Sequence, residues 1–101
     1  MSVAAGNGRI NVMRNVTSDT TLTSVSGAPA RRASTLLFMC SDEATEATAV
    51  FTGDDGTNVT VTVPASATVE LCGDFETVGT LAAGVTCIAG WVDDGSVKRN
   101  A

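Results

Sequence analysis

From Thr57 to Val63 the chain alternates, Thr-Asn-Val-Thr-Val-Thr-Val, with Val59, Val61 and Val63 on one side and Thr60 and Thr62 on the other. Successive side chains of an extended strand point to opposite faces, so this run predicts a strand with one buried and one wet face. Leu36-Leu-Phe-Met-Cys40 behaves differently: it is continuously apolar, which suits a strand covered on both sides, and Ala33–Cys40 is expected as the central core strand. Similar runs place further strands at 9–16, 20–25, 47–52, 57–63, 68–72, 75–79 and 85–92. The punctuation between them agrees. Gly53-Asp-Asp-Gly56 is a hairpin turn, Asn7-Gly8 is a turn signal, and Pro64 removes a ladder donor in the tight connection Val63-Pro-Ala-Ser-Ala67. The single helix signal, Ser41-Asp-Glu-Ala-Thr-Glu46, serves as well for one helical turn as for a loop.

Eight short strands at this spacing predict an all-β fold, a small antiparallel β-sandwich or barrel. The expected organisation is an N-terminal arm over 1–8, a β-domain over 9–92 and a C-terminal tail over 93–101. The core is expected to hold Leu36, Phe38, Val50, Val59, Val61, Val63, Val69, Leu71 and Ile88. Composition supports the class, since 15 Thr and 13 Val dominate the 101 residues and both are stiff, β-branched residues that pack well on a pleated surface.

Charge changes the picture more than composition does. Residues 1–32 carry Arg9, Arg14, Arg31 and Arg32 against Asp19 alone, whereas residues 33–92 carry eight carboxylates and no Lys, Arg or His, within a total net charge of −5. A basic face to neutralise phosphates is missing, which argues against nucleic acid as a partner. Protein contacts between the arginine-bearing segment and acidic neighbours, including further copies of the chain, fit this distribution better. Arg31 and Arg32 follow the loop Gly27-Ala-Pro-Ala30 and, being adjacent, would point to opposite faces of a strand. Trp91 is the one aromatic residue read as an interface anchor, while Phe38, Phe51 and Phe75 are expected in the core.

The chemistry on offer is sparse. His and Tyr are absent and Lys98 stands near the C-terminus, so a nucleophile would lack a base, and a catalytic role is not expected for any residue. Asp54-Asp55 and Asp93-Asp94 each precede Gly, where Asp is a turn residue. Asp54-Asp-Gly-Thr-Asn58 clusters oxygen atoms but lacks the spacing and the distant Glu of a calcium loop, and no zinc spacing exists, so neither metal nor cofactor is expected. Asn15-Val-Thr17 and Asn58-Val-Thr60 read as chance matches to the glycosylation rule. Cys40, Cys72 and Cys87 sit in or beside apolar runs and read as buried thiols, with a Cys72–Cys87 bridge left open. No secretion signal and no bilayer-spanning run is read, so synthesis in a reducing cytoplasm without a membrane partner is expected.

Val16-Thr-Ser-Asp-Thr-Thr-Leu22 followed by an apolar strand and a Gly-centred hairpin, then Val61-Thr-Val-Pro-Ala65 and Phe75-Glu-Thr-Val-Gly-Thr80, resembles the layout of small capsid-accessory proteins of tailed bacteriophages, the decoration (cement) and head-spike base proteins. The resemblance spans most of residues 10–92 as a pattern of short strands. It implies a non-enzymatic virion component with a β-sandwich or jelly-roll fold, assembled as a homo-oligomer, a trimer above all, and docked on the major capsid protein or another virion protein. Such proteins often carry basic residues in the last third, where this chain has Glu70, Asp74 and Glu76. That departure moves the expected docking residues to Arg9, Arg14, Arg31 and Arg32. An extracellular carbohydrate-binding or adhesin module is the alternative expectation.

Overall fold

The computed structural model describes residues 10–93. The fold is all-β, and the described residues form seven strands: β1 (Val12–Val16), β2 (Thr20–Thr21), β3 (Ala33–Cys40), β4 (Ala47–Gly53), β5 (Asn58–Val63), β6 (Thr68–Leu81) and β7 (Val85–Trp91). They form one antiparallel sheet in the order β1-β7-β3-β6-β4-β5, with β2 paired to β6 off that path. β3 therefore lies between β7 and β6, as a central core strand should.

β6 explains how a single sheet encloses a core. Its first half pairs with β3, from Met39↔Thr68 to Ala33↔Phe75, and its second half pairs with β4, from Gly53↔Phe75 to Ala49↔Leu81. Register shifts occur in β3 between Ala33 and Thr35 and in β4 between Thr52 and Gly53, on either side of the middle of β6. Irregularities of this kind bend a strand and increase its twist. The sheet thereby folds over, and the rings of Phe38 in β3 and Phe51 in β4, strands that are not neighbours in it, stack at 6.1 Å, while Phe51 meets Phe75 edge-on at 5.4 Å. Aromatic pairs in these geometries add to the stabilisation from buried area. The candidates at 68–72 and 75–79 are thus joined, because Gly73-Asp74 continues the strand through the bend.

The register sorts the faces. Leu36 and Phe38 stand beside Ala89 and Cys87 of β7 and beside Leu71 and Val69 of β6, all turned inward. Leu36, Phe38, Cys87, Ala89 and Trp91 are fully buried or nearly so. Each large side chain among them contributes on the order of 1.5–3 kcal/mol through removal from water. Leu37 and Met39 face the other way and are only half-buried, so the continuous apolar run of β3 is covered fully on one side and partly on the other. Their neighbour Ile88, expected in the core, lies on this outer face too. Thr35, at the bulge, is 4% exposed, and its hydroxyl has no hydrogen-bond partner.

Two local expectations need correction, and one left open between a helical turn and a loop is settled. The run at 20–25 is a strand for two residues only and then becomes a 3-10 turn, Leu22–Ser24, which sends Leu22 into the core with no exposed surface. Residues 41–46 are a loop, held by the Asp42 carboxylate, which accepts from the amides of Ala44 at 2.8 Å and Thr45 at 3.1 Å. Asp and Asn favour such local turns over helix because the side chain competes for backbone donors. Val50 is half-buried and Val59 is 45% exposed, so neither belongs to the fully buried core. The hairpin reading of 53–56 is met: Gly56 donates to the Gly53 carbonyl at 3.2 Å with a φ of +77°, and the Asp55 carboxylate accepts from the Thr57 amide at 3.0 Å. At the 64–67 turn, Ala67 donates to the Pro64 carbonyl and Ser66 takes a positive φ of 58°. A positive φ at that third position is the type II requirement, here met by a non-glycine residue.

Candidate partner-binding surface

The arginine-bearing segment is organised by the loop over residues 25–32, which leads from the 3-10 turn into β3. Ala28 donates to the Val25 carbonyl at 3.1 Å, and Gly27 turns the chain with a φ of +82°. Arg14, on β1, reaches across to this loop: Nη2 donates to the Gly27 carbonyl at 2.9 Å and Nη1 to the Met13 carbonyl at 2.8 Å. Glycine is favoured there by the positive φ, and a Cβ at position 27 would stand 2.8 Å from Nη2 of Arg14, displacing the guanidinium laid over it. Further along, Arg31 donates its amide to the Pro29 carbonyl at 2.8 Å and accepts at its own carbonyl from Nε1 of Trp91 at 3.0 Å. The loop is thus fastened to β1 by a guanidinium and to β7 by an indole.

This arrangement decides what each expected site residue can do. Arg14, Arg31, Arg32 and Trp91 meet around one loop, although 77 positions separate Arg14 from Trp91 in the sequence. Trp91 is fully buried, and its ring offers no surface to a partner, which corrects its reading as an interface anchor. The indole packs in the buried core, and its N–H finds the Arg31 carbonyl. Arg31 is exposed at the surface of the loop. Arg32 forms an ion pair with Asp74 of β6 at 3.6 Å, with both side chains well exposed. A pair of that kind contributes only about 0–1 kcal/mol. Arg9 lies outside the described residues.

The segregation of charge along the chain is not carried into space as a basic face. β6 brings Asp74 beside Arg32, and the 53–56 hairpin ends next to it, since Gly53 and Ala33 both pair with Phe75. The carboxylates of Asp42, Glu43 and Glu46 lie at the other end of the sheet, where Cys40 and Ser41 bond to Ala67 and Gly84. Sequence reasoning missed Asp74 as a partner because the contact joins β3 to β6 across the register. It missed Gly27 as a support, although Gly27-Ala-Pro marked the turn.

Other candidate chemistry is placed as follows. Cys87 points into the core, where burial pushes its thiol up to about 12. Cys40 is buried too and donates weakly to the Thr45 carbonyl at 3.6 Å. Cys72 is exposed, against the expectation of three buried thiols. β3 stands between Cys72 and Cys87, the first paired with Thr35 and the second with Phe38, on opposite faces of the sheet, which rules out the bridge left open by the sequence. Among the described residues no group of three or more His, Cys, Asp or Glu could hold a metal ion, and no helix is long and apolar enough to cross a membrane.

Comparison with family models, with curated proteins and with solved structures gives no match. What the fold and the surface define is therefore a small antiparallel β-domain with two exposed arginines on a braced loop.

Proposed function

We propose that the chain is a non-enzymatic structural protein of a tailed-phage particle, which decorates or stabilises the capsid, or joins a spike or tail part to it, through subunit–subunit contacts. The observation that carries this reading is the bracing of the 25–32 loop by Arg14 and Trp91, which presents Arg31 and Arg32 on a backbone already fixed before binding. Preorganised cations lose little conformational entropy on meeting partner carboxylates, and Arg suits such contacts through its planar fork of donors. The strand layout that resembles capsid-accessory proteins supplies the virion setting, and the partners in this reading are further copies of the chain and the major capsid protein. The carbohydrate-module alternative has weaker support, because stacking on sugar rings needs an exposed aromatic face and Trp91 is buried.

Co-sedimentation with empty tailed-phage shells tests the reading. The wild-type chain is expected to pellet with shells, and the Arg31→Glu, Arg32→Glu double variant to pellet at least tenfold less while keeping its far-ultraviolet spectrum. Binding to a glycan array without binding to any shell would move the assignment to the carbohydrate class.

A further inference from the structure

We propose that β5 is a pairing edge at which a second copy of this chain adds its own β5 antiparallel, so that two sheets join into one across a two-fold axis. Among the described residues β5 stands last in the strand order with β4 on one flank, and no described strand pairs with the backbone N–H and C=O groups of its other flank. Free edges are usually blunted by charge, proline or a bulge. β5 has none of these: Asn58–Val63 contains no charged residue and no proline, and its register with β4 is unbroken from Ala47↔Val63 to Thr52↔Asn58. The opposite terminal strand, β1, is treated differently. It carries Arg14 and Asn15, and Arg14 engages the Met13 carbonyl while holding the 25–32 loop.

The identity of the occupant follows from the strand itself. Its Val/Thr alternation is self-complementary, because an antiparallel register centred on Val61 sets Val59 of each copy beside Val63 of the other and Thr60 beside Thr62. Val59, now 45% exposed on the core-facing side of the strand, gains cover in that register. Antiparallel addition also keeps the Asp54-Asp55 hairpins of the two copies at opposite ends of the shared seam. Five paired residues span about 17 Å, about twice the roughly 8 Å over which physiological salt screens charge. A parallel seam would put four carboxylates side by side. The symmetry closes on two copies, so the assembly is a dimer or an even multiple of it and not the trimer implied by resemblance. This inference rests on the reading of the chain as a protein of subunit–subunit contacts, and it names one of those contacts.

The test is the solution mass by light scattering over a range of concentrations, with reducing agent present so that the exposed Cys72 cannot link copies. The wild-type chain is expected at twice the chain mass, and Thr60→Lys, Thr62→Lys at half the wild-type value with an unchanged far-ultraviolet spectrum. Amide exchange along β5 should be at least tenfold faster in that variant than in the wild type. If the double variant fails to fold, Val59→Lys at an already exposed position serves in its place. A wild-type monomer at every concentration, a trimer, or a dimer untouched by both variants would overturn the pairing. Retained shell binding in those cases would leave the capsid reading standing, whereas a dimer that ignores shells would overturn that reading alone.

Discussion

β3 and β5 differ in a direction opposite to their sequences. The clean alternation of Asn58–Val63 ends in a strand with a single buried residue, Val63, whereas the unbroken apolar run of β3 supplies Ala33, Leu36, Phe38 and Cys40 to the core. Alternation states that two faces of a strand differ. It does not state how deeply the apolar face is covered, which depends on where the strand lies in the sheet. β3 has neighbours on both flanks and a second layer over one face, while β5 has one neighbour and runs off the end of the core. Burial along β5 falls accordingly, from Val63 with no exposed surface through half-buried Val61 to Val59.

The sharpest way to break this contrast is to truncate matched positions. Phe38→Ala should cost about 3–5 kcal/mol in denaturant-measured stability, because it empties the centre of the folded-over sheet. Val59→Ala, made in the Thr60→Lys, Thr62→Lys background so that no second copy covers the strand, should cost less than about 0.5 kcal/mol, as expected of a surface position. Equal losses would mean that β5 is covered as well as β3 in solution.

A second measurement uses the core thiol next to Phe38. Cys87 has its pKa raised by burial, so the unfolded chain releases its proton first as pH rises and the folded state keeps it. Stability should therefore be unaffected below pH 9 and fall between about 9 and 12, by up to about 1.4 kcal/mol per pH unit. Denaturation midpoints across that range should show the decline in the wild type and a shallower one in Cys87→Ala. In the folded protein a thiol reagent should modify Cys72 while Cys87 stays protected.

Smaller effects probe the outer face and the loop. Thr35 buries a hydroxyl without a partner, and Thr35→Val, which keeps the shape and removes the polar atom, should leave stability unchanged or raise it by about 1 kcal/mol. A clear loss would show that the hydroxyl is satisfied in solution. Arg32→Ala should change stability by less than about 0.5 kcal/mol, since its pair with Asp74 is exposed, and a larger loss would make that pair a structural fastening between β3 and β6.

Much of the fold could be read from residue types alone. Alternating β-branched runs, the Gly53-Asp-Asp-Gly56 hairpin and the Pro64 turn determine strand identity through side-chain packing and turn chemistry, which are local. The apolar run at 36–40 likewise located the central strand. The sequence could also point to the arginines, since a chain with no other cations between positions 32 and 98 offers few choices. Only the tertiary structure decided that Gly73-Asp74 continues a strand, because the bend arises from register shifts in β3 and β4, each set by pairing with distant partners. The same holds for Trp91 and Arg31: burial and the hydrogen bond between them depend on the end of β7 meeting the start of β3, a contact between residues 60 positions apart. Periodicity carries the face of a strand, and sheet order carries its depth.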